Sequence, residues 1–296
     1  MAALDDDWLD ARRDRSLPVR IRWPDGAAPS AVIVHSHGLG GSREGGDVWG
    51  EAWRQAGFVV VHVQHPGSDM PVMRAGMAAL RKAASAEQLR ARVADMQFAI
   101  DEITRRARAR DGAWARVRPD AIGASGHSFG AVTVQALAGQ RFPVAVAGIV
   151  EPRFKAFIAF SPAPGQSTAD AESFGAVTRP FLGITGTHDS DPLGRGLTGE
   201  RRASVYDGLP SGRRALLWLD GADHMSFAGN AAQRLRARVG PLKRAADAAE
   251  REPQHHRLVA ALSTLWWRAQ LLDDAQALAA LRAPTGLAAG DRWQQD

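Results

Sequence analysis

Along most of its length the chain alternates short, β-branched apolar runs with longer stretches of helical period. That alternation restricts it to a sheet of mainly parallel strands joined by crossover helices. The runs at 19–23, 31–36, 58–63, 121–127, 157–160, 181–185 and 215–219 read as strands. The tract Phe58-Val59-Val60-Val61 shows no apolar–polar alternation, so a strand covered on both faces is expected there. Helices are expected at 46–55, 86–110, 130–139 and 230–238, with a last one from about 255 to 281. In that last segment Leu258, Leu262, Leu265, Trp266 and Leu272 form a stripe suited to core packing. The stretches 161–179 and 191–210 are irregular, Pro- and Gly-bearing, and read as short lid loops. Neither is long enough for a domain and no internal repeat is visible, so residues 1–296 are expected to form a single α/β domain.

The most specific local pattern lies at the fourth of these strands. Gly126-His127-Ser128-Phe129-Gly130 follows an apolar run directly and precedes the helical stretch Ala131-Val132-Thr133-Val134. A Gly-x-Ser-x-Gly between strand and helix forms a sharp turn that lifts the serine hydroxyl above the sheet. The glycines allow the strand and helix backbones to approach where side chains would collide. A serine hydroxyl is a weak nucleophile at neutral pH, so the pattern requires a histidine base and an acid that orients it.

The chain order Ser, acid, His leaves His188, His224, His255 and His256 as candidate bases. His224 follows the last expected strand, over its carboxyl edge, whereas His255 and His256 open a helix after a charged stretch. For the acid, Thr185-Gly186-Thr187-His188-Asp189 runs from strand into loop and presents Asp189 toward the next strand's exit. Asp191 is the rival; because it precedes Pro192 it is read as a turn residue. Asp220 and Asp223 lie too near His224 along the chain and are also assigned to turns. Two backbone donors for a developing oxyanion are expected at Phe129, the residue after the nucleophile, and at Leu39 in His37-Gly38-Leu39-Gly40-Gly41. That glycine-rich loop is no phosphate cradle: no Gly-Lys-Ser/Thr follows, and Arg43 stands where a dinucleotide fingerprint needs glycine. His35, His37 and His62 lack a nearby acidic ligand pattern, so packing is preferred over metal.

Composition removes other classes. With no cysteine among 296 residues there is no thiol nucleophile, thiolate metal site or disulfide framework. Thirty-seven basic residues face 32 acidic ones, and no aromatic interleaving accompanies the arginines, so a nucleic-acid partner is not expected. The densest arginine stretch, 105–118, falls at a helix end, where the helix dipole favours cations. No apolar run is long enough to span a membrane, and the charged first twenty residues do not resemble a signal peptide. A cytoplasmic chain without stable membrane insertion is therefore expected.

Taken together, Ser36-His37-Gly38-Leu39-Gly40-Gly41-Ser42, His65-Pro66-Gly67-Ser68-Asp69, Gly126–Ala131, Thr185–Asp189 and Asp223-His224-Met225 resemble an α/β-hydrolase. More narrowly, they are similar to the predicted dienelactone-hydrolase and platelet-activating-factor-acetylhydrolase-like branch. The resemblance runs from Ser36 to Met225 in the family's order. It implies an α/β-hydrolase fold, with a mostly parallel central sheet flanked by helices and a short cap or lid. It also implies a Ser128–His224–Asp189 triad and ester hydrolysis without metal or organic cofactor. Dienelactone hydrolases themselves use cysteine, which this chain lacks, so the expected activity is a serine carboxylesterase acting on small to medium esters. The same triad serves an amidase, peptidase or thioesterase, and the fold also occurs in binding proteins without catalysis. The expected substrate pocket includes His65, Met225 and Phe227.

Overall fold

The computed structural model describes residues 3–142, 149–165, 170–194, 196–229 and 248–296. Its centre is a nine-stranded sheet in the order β1-β2-β4-β3-β5-β6-β7-β8-β9. The strands are β1 (Leu4–Asp10), β2 (Arg15–Arg22), β3 (Ser30–Ser36), β4 (Val59–Val63), β5 (Val117–His127), β6 (Phe154–Phe160), β7 (Phe181–His188), β8 (Arg214–Asp223) and β9 (Arg292–Gln295). Strands β4, β3, β5, β6, β7 and β8 pair in parallel, while β1, β2 and β9 join antiparallel at the two edges. The chain is therefore an α/β protein with a mixed, mostly parallel sheet and flanking helices.

Both faces of the sheet are covered, as the unbroken valine run of β4 demands. Val59, Val61 and Val63 join a core with Val32, Val34 and the helices α4 (Ala86–Ala109) and α5 (Phe129–Ala138). Phe58 and Val60 face the other way, into a core with Ile33, Trp49 and Trp53 of α1 (Asp47–Gln55), and Trp266 and Trp267 of the helix Ala248–Leu271. Two further short helices, α2 (Met70–Arg74) and α3 (Met77–Ala83), follow β4.

Several expectations change. The 255–281 segment is two helices, because Asp273 takes a left-handed φ of 53° and Asp274 caps the helix Ala275–Arg282. Leu272 consequently falls outside the packed stripe and is exposed. The helix expected at 230–238 lies outside the described residues. β1 is not among the expected strands, and Leu4-Asp-Asp-Asp-Trp-Leu-Asp is acidic for a strand. It survives at an edge, where only Trp8 and Asp10 are buried and Asp5 accepts two hydrogen bonds from its cross-strand neighbour Arg20, at 2.7 and 2.9 Å. Among the described residues no helix is long and apolar enough to cross a membrane.

Strand order reverses at β3, whose neighbours are β4 on one side and β5 on the other. Chains leaving the carboxyl ends of β3 and β5 diverge there and open a crevice, the usual ligand position in such sheets.

Candidate active site

Ser128 stands at the carboxyl end of β5, at the crevice. It adopts φ 57° and ψ −115°, a left-handed conformation that a serine holds only when its surroundings impose it. Those surroundings are the two glycines. A Cβ on Gly126 would lie 2.2 Å from the Gly130 carbonyl oxygen, and one on Gly130 would lie 2.0 Å from that of Ser36. No larger residue fits at either place.

The Ser128 hydroxyl donates to His224 Nε2 at 2.8 Å, and His224 Nδ1–H donates to Asp189 Oδ1 at 2.7 Å. His224 begins a 3₁₀ turn, His224–Phe227, capped by Asp223, whose side chain accepts from the Ser226 backbone N–H at 2.9 Å. Asp223 thus has the local turn role its position suggested. Asp220 accepts from Thr187 Oγ1 at 3.0 Å and Arg251 Nη1 at 2.7 Å, away from the histidine. Asp191 takes the Leu193 N–H on Oδ1 at 3.1 Å, an Asx turn. His188 is exposed, whereas His255 and His256 bond the backbone oxygens of Asp220 and Ser226.

Asp189 is fully buried and hydrogen-bonded on both oxygens, Oδ2 accepting from Thr185 Oγ1 at 2.8 Å. Burial alone would raise its pKa. The charge of Arg202, with Nε 3.1 Å from Oδ1, and the bond from His224 outweigh that and hold the carboxyl below its ordinary range. Arg202 is itself 3% exposed and also donates to the backbone oxygens of Asp189, Ser161 and Pro162. His127, inside the Gly-x-Ser-x-Gly, donates from Nε2 to the His224 carbonyl oxygen at 3.0 Å. Burial, with His224 nearby, puts its pKa well below the ordinary value and keeps it neutral. Sequence reasoning missed both roles. Nothing in the sequence distinguishes Arg202 from other arginines, and the variable position of a Gly-x-Ser-x-Gly gives His127 no signal of its own.

The Gly38–Leu39 loop lies directly at the serine: a Cβ added to Gly38 would be 3.3 Å from Ser128 Cβ and 3.1 Å from His127 Nδ1. The Gly38 carbonyl oxygen accepts from Gly41 N–H at 3.0 Å and from His37 Nδ1–H at 2.6 Å. Because carbonyl and N–H point opposite ways across one peptide plane, these bonds aim the Leu39 N–H in the reverse direction. Phe129 N–H is at the first position of α5, where no intrahelical acceptor exists and the helix dipole is positive.

A cavity of about 940 Å³ opens over Ser128 and His224. Of the three residues expected in a substrate pocket, Met225 lines it and His65 and Phe227 do not. His65 is fully buried and bonded to Ser36 and Asp95, while the Phe227 ring is packed in the core on the α1 side of the sheet. The wall is completed by Met70, Met73, Met77 and Leu80 from α2 and α3. Their i, i+3, i+7, i+10 spacing was a legible helical stripe, but one too short to be read as an element. Portions of the expected lid loops, at Ala163–Gly165 and Asp191–Leu193, also line the cavity. His35 and His62 pack ring to ring at 5.3 Å, and no metal-binding group of three occurs among the described residues. Compared with protein-family models and with curated proteins, the chain matches none.

Proposed function

We propose that the chain is a serine hydrolase of α/β-hydrolase type that cleaves carboxylic esters of small to medium size through an acyl-enzyme. The observation that carries this reading is the continuous hydrogen-bonded series Ser128–His224–Asp189 at the floor of the cavity, with a serine held in a left-handed conformation. In this reading His224 Nε2 takes the Ser128 proton as Oγ attacks the ester carbonyl. Asp189 stabilises the imidazolium, and the Leu39 and Phe129 N–H groups receive the oxyanion. The tetrahedral intermediate collapses as His224 returns the proton to the departing alcohol. Water, deprotonated by the same imidazole, then releases the acid and restores Ser128. No step calls on a metal or an organic cofactor.

The lining favours an apolar substrate. Four of the six methionines, Met70, Met73, Met77 and Met225, border the cavity, and thioether chains adapt their shape to differing acyl groups. The volume is near the upper end for sites holding drug-sized ligands, roughly 300–1,000 Å³. A fluorophosphonate probe tests the reading. The adduct is expected on Ser128, located by mass spectrometry of peptides, together with turnover of p-nitrophenyl esters. Folded protein that neither labels at Ser128 nor turns over esters would overturn it.

A further inference from the structure

Below the Gly38–Leu39 loop lies a cluster of polar groups in which Arg92, Ser36, His65 and Asp95 do not line the cavity. Arg92 of α4 is fully buried and has no carboxylate within ion-pair distance among the described residues. Its Nη2 donates to the His37 carbonyl oxygen and, at 2.9 Å, to Ser36 Oγ; its Nη1 donates to Ser68 Oγ at 2.8 Å and its Nε to Thr133 Oγ1 at 3.0 Å. Ser36 Oγ, which accepts from Arg92, donates its own hydrogen to His65 Nε2, 2.9 Å away. His65 Nδ1–H in turn donates to Asp95 Oδ2 at 3.0 Å, and Asp95 is held by Arg13 and Arg15. The Asp95 carboxylate can only accept and buried His65 is neutral, so His65 carries its hydrogen on Nδ1 and accepts from Ser36 on Nε2, which fixes the direction from guanidinium to carboxylate.

We propose that Arg92, with the relay Ser36–His65–Asp95, is a positioning set that orients both oxyanion donors from beneath. This inference rests on the hydrolase reading given above. Two independent arms carry it. Toward Leu39, Arg92 fixes the His37 carbonyl, and the His65 backbone N–H donates to His37 Nε2 at 3.0 Å, which leaves the His37 proton on Nδ1. That proton is the one holding the Gly38 carbonyl, and so the Leu39 N–H. Toward Phe129, the guanidinium carbon lies 4.8 Å over the ring centroid, and Thr133, which accepts from Arg92, donates to the Phe129 carbonyl oxygen at 2.8 Å. One cation thus touches both halves of the proposed oxyanion site without touching substrate. An apolar side chain would avoid the desolvation that a buried guanidinium bears, so packing alone does not account for an arginine here.

The test compares wild type with Arg92→Gln, Arg92→Lys and Ser36→Ala, using p-nitrophenyl ester kinetics, an alkyl boronic acid and thermal melting. Removal of one oxyanion donor costs about 10²–10³-fold in kcat, and Arg92→Gln is expected to lose about 100-fold in kcat with KM within about threefold. Affinity for the boronic acid, whose tetrahedral adduct on Ser128 needs the same donors, falls in parallel. Arg92→Lys keeps the charge but not the fork, and is expected to restore little of the loss. Ser36→Ala, which removes only a hydroxyl, loses about tenfold in kcat and decides the matter if the Arg92 variants do not fold. Folded variants with wild-type kcat, or a loss confined to KM, overturn the inference while leaving the hydrolase reading intact. A wild-type protein that neither turns over esters nor labels at Ser128 fails that reading itself, and the inference with it.

Discussion

Acid should unfold this protein at an unusually mild pH, because its core is built around neutral histidines. His35, His37, His62, His65 and His127 are all buried, none more than 6% exposed. Burial, reinforced by neighbouring arginines or histidines, lowers each of their pKa values, to about 4 for His65 and about 3 for His62. In the unfolded chain each titrates at about 6.5. Between these limits the unfolded state binds protons that the folded state refuses, so stability is full above about pH 6.5 and is lost as pH falls toward the folded values. For one such histidine the loss between about pH 7 and about pH 5.5 is about 1.3 kcal/mol. Five together lose about 6 kcal/mol, comparable with the roughly 5–15 kcal/mol that holds a typical domain. Carboxylates with lowered values, Asp95 and Asp189 among them, work in the same sense but only below about pH 4, so they do not contaminate the interval. The assay is urea unfolding followed by tryptophan fluorescence at a series of pH values, with His62→Gln run in parallel. The variant should show a pH dependence shallower by one proton, whatever its own stability. A wild-type loss below about 2 kcal/mol over the interval, with an unchanged denaturant slope, would refute the assignment of these histidines as neutral and buried.

Two further outcomes bear on the site. Asp189→Asn should cut ester turnover by roughly 10⁴-fold, while Asp191→Asn, whose carboxylate bonds the Leu193 N–H, stays within a few-fold of wild type; steady-state kinetics with the opposite ranking would transfer the role of the acid to Asp191. Gly130→Ala places a Cβ 2.0 Å from the Ser36 carbonyl oxygen, which cannot yield as a side-chain end could, so a destabilisation of about 3 kcal/mol or more is expected in chemical denaturation. An unshifted unfolding midpoint would mean that strand and helix are not in contact there.

The parts of the fold visible in the sequence are those where local pattern and burial coincide. β4 is apolar on both faces because helices cover both, and so its valine run announces a central strand. The edges carry no such signature. β1 has water on one side, so nothing in Leu4–Asp10 enforces alternation, and of its acidic residues, which argue against a strand in isolation, Asp5 meets Arg20 across the hairpin. β9, only Arg292–Gln295, is defined by its pairing with β8 and has no pattern of its own. The same division applies to the site. That Ser128, Asp189 and His224 would meet was legible because each stands at the end of a strand, where chain position and chemistry can be read together. His65 looked like a pocket residue for the same reason, being the second residue beyond β4, but an imidazole beside Asp95 and Ser36 is better satisfied inward.

The arginines show why the remainder was hidden. Their excess over the acidic residues reads as a solvated surface, and for Arg105, paired with Glu102 on α4, that is correct. Two arginines of the same composition are instead buried at opposite ends of the proposed machinery, Arg202 behind Asp189 and Arg92 beneath the Gly38–Leu39 loop. A guanidinium has five donors in a rigid plane and no acceptor, so it can brace several carbonyl and hydroxyl oxygens at once, as a lysine cannot. Which arginines do this depends on where oxygens converge in three dimensions. Strand ends supply that convergence: the carbonyls of Ser161 and Pro162 follow β6, that of Asp189 follows β7, and that of His37 follows β3. The crossover topology that opens the crevice for Ser128 also leaves those carbonyls without strand partners, and the buried arginines answer both needs together.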